Sequence, residues 1–321
     1  MARRFTIVGL GEVLWDMLPA GKQLGGAPTN FAYISTILGN RGVVASRVGD
    51  DELGRKAAKR LKRLGVNTSY LQQDAEHPTG TVGVQLDPSG QPRFTIHENV
   101  AWDFLNWTQS WTKLANDAHA VCFGTLAQRS PQSHGTIEKF LRATRGIRVF
   151  DVNLRQHFYS AEILQTAISL ATIIKMNHDE LPVIVKLLRF TRRKSETSAK
   201  RLLDFGPKLV CITRGSRGSL LLTKTAIHEH PGFSVRVRDT IGAGDAFTAG
   251  LVHEYLRGSS LEKMNDIANR IASWVASRAG GTPIVKGGEL RRTLGRVDGS
   301  PTVASQTKFV AAKHPLPHLR N

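Results

Sequence analysis

"RDTIGAGDAF", residues 238–247, places Gly242, Ala243 and Gly244 between two aspartates, Asp239 and Asp245. Within 235–258, "VRVRDTIGAGDAFTAGLVHEYLRG", a β-rich segment runs into this small-residue turn. Apolar Phe247, Leu251 and Leu256 follow at approximate helical spacing. The three small residues therefore fall at a helix N-terminus, where backbone N–H groups lack intrahelical partners and the helix dipole favours an anion. Small side chains let an oxyanion reach those amides. Asp245 in the same turn reads as a helix cap on its own. Beside an anion hole, however, a carboxylate can also accept a hydroxyl proton while a phosphoryl group is held nearby. The turn points to phosphoryl transfer to an alcohol.

Outward from this turn, the chain alternates. Strand-like runs "RFTIVGL", "GVVASRVG", "AVCFGTL", "IRVFDVNL", "TIIKMN" and "KLVCITRG" are interleaved with helical patterns ending at Gly39, Gly65 and Gly146. Repeated strand and helix predict a doubly wound, mostly parallel sheet covered on both faces. Residues 80–98, "GTVGVQLDPSGQPRFTIHE", break the alternation. Their two β-rich arms around Asp87-Pro88-Ser89-Gly90 predict a hairpin outside that sheet, a small lid. A kinase-type domain is expected over 1–288, with lid elements from 10–20 and 79–100, and a polar basic tail over 289–321.

Composition narrows the classes. The 321 residues are 40% hydrophobic and 22% charged, a globular balance that excludes wholesale disorder. No apolar run approaches the roughly 18 residues needed to span a bilayer. Cys122 and Cys211 sit in apolar runs and read as buried thiols, which fits a cytoplasmic location. The formal net charge of +18 raises a nucleic-acid reading. Much of it lies in residues 51–65 and 186–203. In the first, Leu53, Ala57, Leu61 and Leu64 form an apolar stripe that leaves Arg55, Lys56, Lys59, Arg60, Lys62 and Arg63 to solvent. With no recognition motif beside them, both segments read as solvated helix faces. Gly9-x-Gly11 after a strand suggests a dinucleotide fold, but Leu14 stands where the third glycine belongs.

The motif "DTIGAGD" resembles the C-terminal signature of the ribokinase-like (phosphofructokinase-B type) carbohydrate kinases, and "GGAPTNFAYISTILG", residues 25–39, resembles their N-terminal one. The resemblance extends to about Gly288 and implies a three-layer fold. It also implies that Asp245 is the catalytic base, that Gly242, Ala243 and Gly244 stabilise the transferred phosphate, and that ATP with Mg²⁺ is the donor. "KMNHDELPV" is similar to the family's Asn-x-x-Glu motif. That likeness assigns Asn177 and Glu180 to the phosphates and hydrated magnesium, whereas by pattern alone the segment is an acidic helix start. "TRGSRGS" looks like the nucleotide loop and implicates Thr213, Gly215 and Gly218, otherwise a turn between strands. Asn269 falls where the family contacts adenine, or is a helix-surface amide.

For the sugar, the resemblance assigns Asp16, with Gly25, Gly26 and Asn30 beside it. "DVNLRQ" supplies Asn153 and Arg155 at a strand end, where open α/β sheets place ligands, Arg155 reading as a partner for a substrate or phosphate oxygen or for a structural carboxylate. Asp16 as an ionised carboxylate can accept two hydroxyl hydrogen bonds. Gly25-Gly26 also reads as a plain turn, and Asn30 as a cap. A monovalent cation, K⁺, is implied at carbonyls around Asp239, Ile241, Arg278 and Gly280, although Ile284 replaces a serine found in some potassium-dependent members. "GEVLWDMLP" before "GGAPTNFA" looks most like the fructokinase branch, implying D-fructose phosphorylated at its 6-hydroxyl. A 2-keto-3-deoxygluconate kinase and a ribokinase remain alternatives, as do a silent sugar-binding regulator and a basic nucleic-acid binder. Family lids also suggest a homodimer. Residues 97–104, "HENVAWDF", have no family role and read as hydrophobic anchoring of the lid.

Overall fold

A computed structural model of the protein describes residues 4–18, 21–86, 92–190, 195–285 and 289–295. Its larger sheet contains β1 (Thr6–Leu10), and its smaller one β2 (Leu14–Leu18) and β3 (Gly21–Gly25). β4 (Arg41–Gly49) and β5 (Asn67–Asp74) return to the larger sheet, while β6 (Gly80–Leu86) and β7 (Pro92–Ile96) complete the smaller. β8 (Ala120–Phe123), β9 (Ile147–Asp151), β10 (Ile173–Asn177), β11 (Leu209–Thr213), β12 (Ser219–Leu222) and β13 (Ile227–His230) follow. The order across the nine-stranded sheet is β13-β12-β11-β10-β9-β8-β1-β4-β5. From β11 to β5 all pairs are parallel; β12 is antiparallel to both its neighbours.

Strand periodicity explains the two cores. In β1, Val8 and Leu10 pack on one face and Ile7 on the other; Val121 and Phe150 oppose Ala120 and Val149 in the same way. One face is covered by helices including 109–117, 131–143 and 161–170, through Trp111, Phe140 and Leu164. The other is covered by helices Ala27–Ile37, Glu52–Arg63, Ala243–Tyr255 and Leu261–Ala276. This is the doubly wound α/β architecture the alternation predicts. Gly9 serves it by packing, not by dinucleotide binding: a Cβ there would lie 2.1 Å from the Pro28 carbonyl oxygen, so its absence lets helix Ala27–Ile37 cross β1 closely.

The 80–98 hairpin does form outside the parallel sheet. β6 and β7 pair antiparallel and join β2 and β3 in the order β3-β2-β6-β7. The proposed turn at Asp87–Gly90 lies outside the described residues, as do tail residues 296–321. The 51–65 segment is a helix capped by Asp51, whose Oδ1 accepts from Gly54 N at 2.7 Å. All six of its basic residues are exposed while Ala57 and Leu61 are buried. The 186–203 segment is not one helix: it holds the end of helix Glu180–Leu187 and a separate helix, Ser195–Leu202. One local expectation fails. Residues 235–238 before the opening turn form no strand, because no ladder partner lies beside them and β-propensity alone does not make a strand.

Candidate active site

The order of the sheet reverses direction at β1, between β4 and β8, and open α/β sheets bind ligands in the crevice at such a point. A cleft lies there, lined by Ala27, Pro28, Gly124, Asp151 and Asp245 among others. Asn177 closes β10 and Thr213 closes β11, paired with each other in register, and Asn153 and Arg155 follow the end of β9. Five sequence-assigned residues thus stand at the carboxyl ends of adjacent parallel strands or just beyond them, counting Asp245 beside them.

Gly242 is the residue preceding helix Ala243–Tyr255 and adopts left-handed backbone, φ +74°. A Cβ would add a second obstacle, 2.4 Å from Gly281 Cα. Glycine is therefore required to bend the chain into the helix while pressed against the 280–281 segment. The first helical turn then presents Asp245. Its carboxylate accepts a 2.8 Å hydrogen bond from Asn30 Nδ2, joining residues 215 apart in sequence. Asp245 is partly buried, and burial pushes its pKa up to about 6. Asp151 pushes in the same direction; Asn30, Lys175 and Arg155 oppose it. A carboxylate with this pKa is ionised at neutral pH yet basic enough to take a proton.

Asp16 lies on β2, paired with Gln23 of β3. Gly25 makes room for it, since a Cβ there would sit 2.5 Å from Asp16 Oδ2. Burial raises its pKa and Arg155 opposes the rise. The Arg155 guanidinium is the charge common to Asp16, Glu12 and Asp245. Gly26 packs over the Glu12 carbonyl, and Asn30 lies against Gly281 with its Oδ1 lacking a protein partner. Asn153 has φ +42°.

Among the residues the sequence assigns to the nucleotide, Asn177 Oδ1 accepts from the backbone N–H of Asp179 and Glu180, each at 2.9 Å, so Asn177 caps the helix start. Glu180 is buried and accepts from Leu154 N and Asn177 N at 2.9 and 2.8 Å. Burial raises its pKa, while Lys175 and those amides hold it down. Gly215 and Gly218 form the turn between β11 and β12. Asn269 is not a surface amide. It is buried, its Nδ2 2.7 Å from Ser219 Oγ and 2.8 Å from the Asn265 carbonyl. Asp239 ties two segments together by accepting from Ile241 N and Gly280 N, each at 2.9 Å. The Arg278 guanidinium bonds the Trp274 carbonyl at 2.9 Å, and Ile284 is exposed.

Within residues 97–104, 100–103 are buried and form an anchor, while 97–99 are exposed. Arg129 pairs with both Asp103 oxygens at 2.8 Å, donates to the His97 carbonyl at 2.6 Å and stacks over Trp102 at 4.0 Å. Trp102 lies against Gly80, which begins β6. Both ends of the lid hairpin are therefore fastened to one cluster.

Four buried polar residues near the site were not singled out from sequence: Glu12, Asp151, Lys175 and Thr248. For Glu12, Asp151 and Lys175 the signal was a charged residue inside or just after an apolar strand, "GLGE", "VFD" and "IIKM", where full solvation is disfavoured; Thr248 on its helix gave none. Burial pushes Glu12 up to about 7, Ala27 N donates to its Oε1 at 3.2 Å, and its Oε2 has no partner among the described residues.

A doubly wound sheet with a separate β lid, and a carboxylate beside a glycine-bent helix start, define a ribokinase-like phosphotransferase. A family model for pfkB family carbohydrate kinases matches residues 19–286; the chain belongs to that family and is an ATP-dependent carbohydrate kinase. Its relatives include a fructokinase of Escherichia coli, 30% identical over 256 residues and covering 76% of this chain and 82% of the relative. An uncharacterized sugar kinase of Pyrococcus horikoshii, PH1459, solved in complex with ATP, is 26% identical with a TM-score of 0.74 over 90% of this chain and 99% of that one. A fructokinase of Xylella fastidiosa with bound ATP shares the fold at a TM-score of 0.78 and 23% identity, over 90% and 98% of the two chains.

Proposed function

We propose that the protein transfers the γ-phosphoryl group of ATP to the 6-hydroxyl of D-fructose, with Asp245 as the base. The observation that carries the mechanism is the Asp245 carboxylate, held by Asn30 in the first turn of the helix that begins after the Gly242 bend. Asp245 removes the hydroxyl proton as the oxygen attacks phosphorus, and the amides of 242–244 stabilise the charge developing on the phosphoryl oxygens. Asp16, Gly25, Gly26, Asn30, Asn153 and Arg155 hold the sugar. Asn177, Thr213, Gly215, Gly218 and the Asn269 region serve the nucleotide. The fructokinase relative at 30% identity supports the choice of sugar; 2-keto-3-deoxygluconate and ribose are the competing substrates.

Among the described residues, no group of three or more His, Cys, Asp or Glu is disposed to hold a metal. That fits a magnesium ion carried on the phosphates and reached through water, because Mg²⁺ keeps several waters and takes few protein ligands. Each Glu180 oxygen accepts one backbone N–H and keeps a lone pair for such a water. The ion would neutralise charge between the β- and γ-phosphates. The Asp239 bridge supports a K⁺ site on the carbonyls of the segments it joins. Phe94, exposed on lid strand β7, supports a homodimer through the lid. Among the described residues no helix is long and apolar enough to cross a membrane, and both cysteines are free and buried, in keeping with a cytoplasmic location.

The test is ATP-dependent phosphorylation across a panel of sugars, with Asp245→Asn alongside. Fructose is expected to give the highest kcat/KM, and the folded variant to lose at least about 10²-fold in kcat. Preference for another sugar replaces the substrate; an active Asp245→Asn removes the base.

A further inference from the structure

Beneath the opening turn lies a buried group of charges that the mechanism so far leaves unused. Lys175 of β10 and Asp151 of β9 stand opposite each other in the parallel register. The Lys175 ammonium is 3.0 and 3.2 Å from the two Asp151 oxygens, and both side chains are almost fully enclosed. The Thr248 hydroxyl lies 2.9 Å from Asp151 Oδ2 and 3.0 Å from the Gly244 carbonyl, so its one proton serves either acceptor. Above the pair, a Cβ on Gly244 would come within 2.9 Å of Lys175 Nζ. The ammonium is thus seated directly under the turn assigned to the transferred phosphate, and glycine at 244 is what lets it approach.

An ion pair of this kind is a poor way to stabilise a fold, since desolvation offsets much of the attraction. Its position suggests another role. We propose that Lys175 and Asp151, linked through Thr248, are positioning residues for phosphoryl transfer: they support the 242–244 turn from below and set the electric field at Asp245. The proposal rests on Asp245 being the base.

The field follows from the charges facing Asp245 on each side. Asp151 comes from β9, Lys175 from β10, Arg155 from the segment after β9, the Asn30 amide from helix Ala27–Ile37 and Glu12 from the segment after β1. The Asp151 charge raises the Asp245 pKa more than the Lys175 charge lowers it. The pair as a whole therefore makes Asp245 a stronger base. Lys175 itself stays charged: burial opposes its ammonium, but Asp151, Glu180 and Asp245 together hold its pKa above the ordinary lysine value.

The experiment compares the pH dependence of kcat/KM for wild type, Asp151→Asn and the double variant Lys175→Met/Asp151→Asn, with Thr248→Val and Asp245→Asn beside them. Asp151→Asn keeps the shape and an acceptor oxygen while removing the negative charge. Its acid limb should move down by about one pH unit, the shift expected for loss of one like charge nearby. The double variant, which also loses the ammonium, should fall between Asp151→Asn and wild type, and it leaves no unpaired buried charge should the single variant fold poorly. Thr248→Val should lower kcat several-fold with the limb unmoved. One acid limb shared by wild type and the folded charge variants would overturn the proposal and leave the pair structural. Retained activity in Asp245→Asn would instead overturn the base assignment, so the two failures are distinguishable.

Discussion

Replacing Asn30 by alanine removes the one side-chain hydrogen bond that Asp245 makes among the described residues. The 2.8 Å bond from Asn30 Nδ2 is made to a carboxylate, and it favours the ionised form. Hydrogen bonds to charged groups contribute roughly 1.5–3 kcal/mol, and a difference of 1.36 kcal/mol between protonation states is about one pKa unit. Part of that energy survives in Asn30→Ala, because water can enter the space the amide leaves and donate in its place. A net rise of about one unit is therefore expected, from about 6 to roughly 7. At pH 6 the ionised fraction then drops from about one half to about one tenth, a roughly fivefold loss, while near pH 8.5 both proteins are ionised. A second, pH-independent loss comes from the freed carboxylate rotor. The assay is kcat/KM from pH 5 to 9, whose acid limb reports the free enzyme, with sugar affinity measured by calorimetry to separate weaker binding. An acid limb still near 6 in a folded Asn30→Ala protein would refute the argument that Asn30 tunes the base.

Asp16→Ala should abolish detectable sugar binding in calorimetry while leaving ATP affinity nearly unchanged; lost ATP affinity with retained sugar affinity would reverse the two halves of the site. Glu12→Gln should be more stable than wild type above pH 7 and lose that advantage in acid. The folded pKa of Glu12 is raised to about 7 from 4.5, so its favourable contribution is full below the unfolded value and is lost as pH rises through about 7. Glutamine keeps the acceptor for Ala27 N without ionising, and thermal unfolding at pH 5 and pH 8 reads the difference. Gly242→Ala forces a side chain into left-handed backbone at a cost of about 1–2 kcal/mol and drives it into Gly281. A Tm lower by several degrees and a kcat loss of at least tenfold are expected; wild-type values would show that the turn relaxes freely.

Local chemistry made much of this protein legible in advance. The alternation of apolar strands with helical stripes specifies a covered parallel sheet, because buried strands and half-buried helices have different periods. Small residues ahead of a helix mark its start, where Gly242 takes left-handed backbone, and a hairpin flanked by turn residues separates itself from that sheet. Distances between remote residues are not encoded at that level. That Asn30 donates to Asp245, that Arg155 acts on Asp16, Glu12 and Asp245 alike, and that Lys175 sits under Gly244 follow only when β1, β8, β9 and β10 are laid side by side and two helices are packed over them. The same holds for the failures. The 235–238 run has β-rich composition but no neighbour to complete a ladder, and Asn269, at a position that reads equally as surface, is buried because Ser219 and Asn265 receive its amide. Composition and periodicity fix what each segment can do; whether a charge is solvated, paired or left to tune a base depends on which strands the sheet order makes neighbours.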